Sequence, residues 1–101
     1  MPLTGKQRRH LRSLGHHLDP VVQLGKLGLT SGVIAATTDA LESHELIKVR
    51  INGDREQRVS TLAAIIESAA AIKVQATGGT ALIYKKALEL KAHLSNLSRH
   101  S

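Results

Sequence analysis

The feature that most constrains the fold of this chain is a short apolar run that ends at a glycine turn and continues directly into a helical pattern. The run is Val21 to Leu24, the turn is Gly25-Lys26-Leu27-Gly28, and apolar residues at helical spacing follow a cap at Thr30 or Ser31. Strands that alternate with helices pair in parallel through right-handed crossovers. The pattern therefore predicts an α/β fold.

The rest of the chain supplies two more helices. Thr4 with Gln7 and Asp54 with Gln57 both match the capping box, which predicts helices over about 5–16 and from 55 to about 71. The helix after the glycine turn is expected to end near His44.

Three further segments have the period of a strand. Residues 46–51 and 72–77 alternate in polarity, and a Gly-Gly hairpin signal joins the second of them to a return strand over 80–85. We expect a single compact domain over residues 1–86, ordered helix-strand-helix-strand-helix-strand-strand, with three helices and a four-stranded mixed sheet. Residues 87–101 are expected to form a polar C-terminal tail, either a short helix or disordered.

Charge limits the partners that this domain can have. The 101 residues carry 14 Lys and Arg against 8 Asp and Glu, a net charge of +6. Such an excess favours a polyanion, because neutralising phosphates releases condensed counterions, although a merely soluble basic surface is the alternative. Tyr84 is the only aromatic residue besides histidine, so successive stacked bases are not expected, and a nucleic acid would be held mainly by its backbone.

Several classes of site find no support in the sequence. There is no cysteine, which excludes disulfides and thiolate chemistry and agrees with a reducing compartment. No apolar stretch reaches the ~20 residues of a membrane span and the start lacks a signal core, so we expect a cytoplasmic protein without membrane contact. The six histidines and scattered acids form no ligand set or acid-base pair, so we expect no metal, cofactor, small-molecule substrate or catalysis.

Basic side chains form two candidate binding surfaces. Arg8, Arg9 and Arg12 lie opposite the leucine face of the first helix, and no acid occurs in the first 18 residues to neutralise them. Lys48 and Arg50 share one face of the second strand. For both sets, phosphate contact and an ordinary solvated face remain alternatives.

Four sequence runs together resemble the CRM domain (chloroplast RNA splicing and ribosome maturation), in its stand-alone bacterial YhbY-like form. The resemblance covers about residues 3–86. The runs are residues 3–8 (LTGKQR), 23–30 (QLGKLGLT), 41–49 (LESHELIKV) and 78–85 (GGTALIYK).

The resemblance implies a fold similar to the C-terminal domain of translation initiation factor 3, and RNA binding by the glycine loop. It also implies association with precursors of the large ribosomal subunit, so that rRNA would be the partner of a monomer that assists ribosome assembly. Leu27 departs from the polar residue expected at a loop tip, which suggests stacking on a base or sugar. The alternative for both glycines is that turn geometry alone requires them.

The predicted RNA-binding residues combine the loop, the cap after it and the two basic surfaces: Gly25, Lys26, Leu27, Gly28, Thr30, Arg8, Arg9, Arg12, Lys48 and Arg50. Two other functions remain open. One is a permanent structural ribosomal protein or another non-catalytic RNA-binding module, and the other is a small RNA-processing enzyme.

Overall fold

The three helices begin where the sequence places their caps, in a computed structural model that describes residues 3–25, 28–89 and 95–97. The Thr4 hydroxyl accepts from the Gln7 amide and the Gln7 side chain accepts from the Thr4 amide, which starts α1 (Gly5–Gly15). Asp54 and Gln57 repeat this exchange before α3 (Arg55–Ala69). Of the two candidate caps for α2 (Ser31–His44), the structure uses Thr30.

Two helix ends are marked by residues in unusual backbone conformations. The third helix stops two residues earlier than predicted because Ala70 takes a left-handed conformation with φ 55°. Glu45, which directly follows α2, has φ 62° and turns the chain into the next strand.

The sheet contains β1 (Pro20–Leu24), β2 (Leu46–Ile51), β3 (Ile72–Thr77) and β4 (Thr80–Tyr84) in the spatial order β1-β2-β4-β3. The first two strands are parallel, and β4 pairs antiparallel with both β2 and β3. The parallel pair follows from the crossover through α2, and the antiparallel pair from the Gly78-Gly79 hairpin. The predicted fold class is confirmed: α/β, with three helices and a four-stranded mixed sheet.

The two faces of the sheet are covered unequally. Helices α2 and α3 pack on one face around Leu41, Ile47, Ile65 and Ile83, all fully or almost fully buried. Helix α1 packs on the other face, where a smaller cluster contains Leu11, Leu14, Leu46, Val74 and Leu82, and Leu97 of the C-terminal segment packs against this cluster. Because only one helix covers this second face, part of it stays open. Within the described residues, no helix is both long and apolar enough to cross a membrane.

The described part of the predicted polar tail is packed onto the domain. The Ser95 hydroxyl donates to Oε1 of Glu45 at 2.7 Å, and Nδ2 of Asn96 donates to the Leu46 carbonyl at 2.7 Å. Both side chains are buried, with Ser95 fully so. Their polar groups thus meet buried partners that lie 50 positions away in the chain.

Candidate functional site

One edge of the sheet gathers the loops that carry the predicted site. The parallel strands β1 and β2 both end there, so the glycine loop lies beside the turn that precedes α3. The β3–β4 hairpin reaches the same edge, where the Ile51 amide donates to the Gly79 carbonyl at 2.7 Å. The N-termini of α2 and α3 also start from this edge, because each helix follows a strand that ends there.

Both glycines of the loop adopt backbone conformations that favour glycine. Gly25 has φ 90° and Gly28 has φ 80°. A Cβ on Gly25 would lie 3.2 Å from the Asn52 carbonyl oxygen, whereas a Cβ on Gly28 would meet nothing within 4 Å. The first glycine is therefore required for close packing against the neighbouring turn, and the second lies in open space. Lys26 and Leu27, predicted at the tip, lie outside the described residues.

The base of the loop is attached to the turn after β2. The Asn52 amide donates to the Leu24 carbonyl at 3.0 Å, which continues the strand pairing to the start of the loop. The Asn52 side-chain Nδ2 is buried and has no hydrogen-bond partner in the part of the chain that the structure describes. The backbone around Gly25 is thus fixed by strand pairing, while Gly28 is exposed.

Thr30 caps the N-terminus of α2, as the sequence indicated. Its Oγ1 accepts from the Val33 amide at 3.1 Å, and its carbonyl accepts from the Ile34 amide. The first of these bonds satisfies one of the four free amides at the start of α2, and the second is the first bond of the helix itself. The other three free amides belong to exposed Thr30, Ser31 and Gly32, close in sequence to Gly28. They carry the positive end of the helix dipole.

The three arginines of α1 fall into three different environments. The Arg8 guanidinium crosses to strand β3, where Nη1 donates to the carbonyls of Lys73 at 2.7 Å and Val74 at 3.0 Å. Arg9 is exposed. Arg12 is half-buried at the side of a cleft between α1 and the sheet. Arg8 therefore joins the helix to an edge strand, whereas no hydrogen bond within the described residues engages the guanidinium groups of Arg9 and Arg12.

Lys48 and Arg50 lie on the face that α1 covers only in part. Lys48 is half-buried beside Arg12, and Arg50 is exposed. Gln23 on β1 pairs with Arg50 and is also exposed, so the basic surface extends toward the glycine loop. Lys48 and Arg50 therefore lie on a partly open face of the sheet.

A cleft of about 220 Å³ lies where α1 ends above this face. Its polar lining consists of Arg12, His16, Lys48, Gln75, Thr77 and Thr80. None of these is acidic, so the cleft is positively charged as well as polar. It lies between the end of α1 and the sheet edge that carries the glycine loop.

Several residues of this region carry no functional signal in the sequence. The sequence pattern predicts only strand structure for Gln75, Thr77 and Thr80. Arg55 and Arg58, which line a second cleft of about 350 Å³ beside the hairpin, read only as the start of α3. The topology contained a signal for these two arginines, because a helix that follows β2 must begin at the edge where β1 ends. Arg58 also donates to the Gly53 carbonyl at 2.8 Å and so stabilises the turn.

The described residues contain no group of three or more His, Asp and Glu side chains that could hold a metal ion. His44 ends α2, as the sequence predicted, and is half-buried. The adjacent pair His16 and His17 is exposed.

Together these features define an α/β domain with two helices on one sheet face, one helix on the other, and a glycine-bounded loop at the edge of a basic, partly open surface. The chain belongs to the CRS1 / YhbY (CRM) domain family, whose model matches residues 3–85. The family resemblance found in the sequence is confirmed.

Relatives along almost the whole chain support this assignment. An RNA-binding protein of Haemophilus influenzae is 44% identical over 93 residues, which are 91% of this chain and 94% of the relative. A probable RNA-binding protein of Pseudomonas aeruginosa is 40% identical over 100 residues, covering 98% and 96% of the two chains. The solution structure of a Staphylococcus aureus protein, described as a candidate RNA binder, superposes with a TM-score of 0.74 at 37% identity, covering 87% of this chain and 93% of that one.

Proposed function

We propose that this protein binds RNA through the glycine loop and the adjacent basic face. The observation that carries the proposal is the position of exposed Gly28, with open space around it, at the edge of a surface that presents Arg12, Lys48 and Arg50. A backbone without side chains lets a phosphate approach closely, and the cations supply attraction that needs no base sequence. The relatives are named as an RNA-binding protein and a probable RNA-binding protein, which agrees with this function.

Each residue of the proposed surface has a distinct role. Gly25 and Gly28 shape the loop, Lys26 and Leu27 would contact the RNA from its tip, and Thr30 holds the start of α2 toward the same phosphate. Arg9, Arg12, Lys48 and Arg50 supply charge. Arg8 would contribute less than the others, because its guanidinium is bonded to β3.

The biological role that we infer is assistance to assembly of the large ribosomal subunit, by a cytoplasmic monomer that binds precursor rRNA without covalent chemistry. Sedimentation in sucrose gradients tests it. An assembly factor accompanies precursor particles and is absent from mature subunits, whereas a permanent ribosomal protein stays with them. Incubation of labelled rRNA with the pure protein and divalent metal should leave the RNA intact, and cleavage would favour the enzyme alternative.

A pair of substitutions at Gly28 tests the binding surface itself. Gly28→Asp and Gly28→Asn place side chains of the same shape in the same open space and at the same positive φ, so both should lower stability by a similar amount, about 1 kcal/mol. Only aspartate adds a negative charge. At about 4 Å from a phosphate that charge costs about 1 to 4 kcal/mol, so Gly28→Asp should bind a structured rRNA fragment at least about fivefold more weakly than Gly28→Asn.

The salt dependence of binding gives an independent measurement. Contacts with about four phosphates predict a slope near −3 in a plot of log affinity against log salt. Lys48→Ala should make that slope shallower by about 1, while Lys73→Ala is the matched control. Lys73 pairs with Ile83, whose side chain packs under α2 and α3, so it belongs to the other face. Equal RNA affinities for the two Gly28 variants, or binding that does not change with salt, would contradict the proposal.

A further inference from the structure

On the sheet face that α1 covers only in part, the chemical type of the side chains changes from one strand to the next. Across three adjacent strands, Lys48 on β2 pairs with Leu82 on β4, and Leu82 pairs with Gln75 on β3. In the neighbouring row, Arg50 pairs with Thr80, and Thr80 pairs with Thr77. Both rows thus place a cation on β2 and a neutral polar side chain on β3.

The distance across each row, from the cation on β2 to the polar side chain on β3, is about the length of one nucleotide. Neighbouring strands lie about 4.8 Å apart, so the cation and the neutral polar group of each row are separated by about 10 Å. Five of these six residues line the 220 Å³ cleft, the exception being exposed Arg50. The cleft is smaller than the roughly 300 Å³ at which pockets for drug-sized ligands begin, which limits its occupant to a small group.

The polar groups of the cleft are free to bind a ligand. In the part of the chain that the structure describes, no hydrogen bond or ion pair engages the side chains of Arg12, Lys48 or Gln75. The Thr80 hydroxyl donates to the Thr77 carbonyl at 3.3 Å, so its oxygen can still accept. A carboxamide offers both donors and an acceptor, which is the combination that reads the edge of a base.

The cleft also has an apolar part to its lining. It is formed by Leu82 on β4 and by Gly15, which lies in close contact with Leu82 at the end of α1. The planar guanidinium of Arg12 stands at the side, and such a group stacks on bases. The cleft can therefore hold a base without any aromatic side chain.

From this arrangement we infer that the cleft is a subsite for one unpaired nucleotide of the bound RNA. The sugar-phosphate backbone follows β2 along Lys48 and Arg50, and the base crosses β4 so that its edge meets Gln75 and Thr80. The inference rests on the proposed RNA-binding function and adds to it a source of base preference, since phosphate contacts position an RNA while base contacts specify it.

Titration of the full chain with the four ribonucleoside 5′-monophosphates, followed by NMR of backbone and side-chain amides, tests the subsite directly. All four should shift the amides of Gln75, Thr80 and Leu82, with affinities that differ between bases by at least about fivefold, the lower end expected for a paired base edge. Inorganic phosphate at the same ionic strength should leave the Gln75 and Thr80 amides unchanged.

Gln75→Ala should bring the four affinities to within about twofold of one another without changing the response to phosphate. Lys73→Ala is the control, because Lys73 is exposed on the same strand as Gln75 but lies on the opposite face of the sheet. The inference is overturned if the cleft amides do not shift, if phosphate alone shifts them equally, or if base discrimination survives Gln75→Ala. Should the chain still bind RNA with the expected salt dependence, only the subsite is refuted; if it binds no RNA, the proposed function fails.

Discussion

Replacing Gly15 with alanine measures how closely α1 lies on the sheet. A Cβ at this position would clash with Cδ1 of Leu82 and lie 2.6 Å from its Cδ2. Leu82 is only 5% exposed and packs among the leucines under α1. The clash can be relieved if the helix moves outward or if Leu82 rotates into the adjacent cleft, and either movement changes the shape of the cleft.

The sign of the stability change is the informative result. Overpacking of this kind costs about 1 to 3 kcal/mol. An alanine inside a helix gains up to about 1 kcal/mol over glycine, and less at the last residue of α1. The net loss should be about 1 to 2 kcal/mol, which lowers the Tm of a domain this size by about 5 to 10 °C. Circular dichroism is the suitable probe, since the chain contains no tryptophan.

Two further variants show whether Leu82 is the cause. Gly32→Ala, in the first turn of α2, places a Cβ no closer than 3.8 Å to Thr30 Oγ1 and should leave the Tm unchanged or raise it. In a Leu82→Ala background the obstacle is absent, so Gly15→Ala should no longer destabilise, a coupling of about 1 to 3 kcal/mol. A higher Tm for Gly15→Ala in the wild-type background would refute the close contact on which the geometry of the cleft depends.

Three other predictions follow from named contacts. Arg8→Ala should lower the free energy of unfolding in urea by about 1 to 2 kcal/mol through loss of its two bonds to β3, whereas Arg9→Ala should stay within about 0.5 kcal/mol; equal effects would contradict this. Burial, and secondarily the Glu45 carboxylate, raise the pKa of Tyr84, the only tyrosine, so stability should fall as pH rises above about 10 and through that raised pKa. The absorbance of tyrosinate measures the titration of Tyr84, and Glu45→Gln should lower the pH of its midpoint. A midpoint equal to that of the unfolded chain would contradict the raised pKa of Tyr84. Ser95→Ala should cost about 1 to 3 kcal/mol in urea unfolding, since Glu45 loses a buried donor, and no change would mean that the C-terminal segment is not docked.

The elements of the fold were predictable because their signals are local. Capping boxes at Thr4 and Asp54 need only a residue three positions away, and both start helices in the structure. The alternation of residues 46–51 and the Gly78-Gly79 hairpin are equally local. Together with the crossover rule, these signals are sufficient to specify a mixed four-stranded sheet.

The environments of individual polar residues were not predictable, since they depend on contacts between distant parts of the chain. A helical wheel places Arg8 on the solvent face of α1, but its guanidinium bonds to carbonyls 65 and 66 residues away. In the sequence, Ser95 and Asn96 are only polar residues of the C-terminal tail. They are buried because Glu45 and the Leu46 carbonyl, at a sheet end, provide partners for them.

The position of the open basic face follows from the number of helices on each side of the sheet. Four strands at about 4.8 Å spacing make a sheet about 19 Å wide, and a helix with its side chains is about 10 Å across. Two helices, α2 and α3, can therefore cover most of one face, while α1 covers about half of the other; on the first face only the edge strand β3 keeps exposed residues, such as Lys73 and Ala76. The uncovered half must carry side chains that tolerate water, and here they are Lys48, Arg50, Gln75, Thr77 and Thr80, together with Gln23. Since the crossovers through α2 and α3 lie on the opposite face, extra length in either helix would leave this surface open. Only a longer α1 or a second element beside it would close the surface, so the exposure of the basic face depends on α1 ending at Gly15.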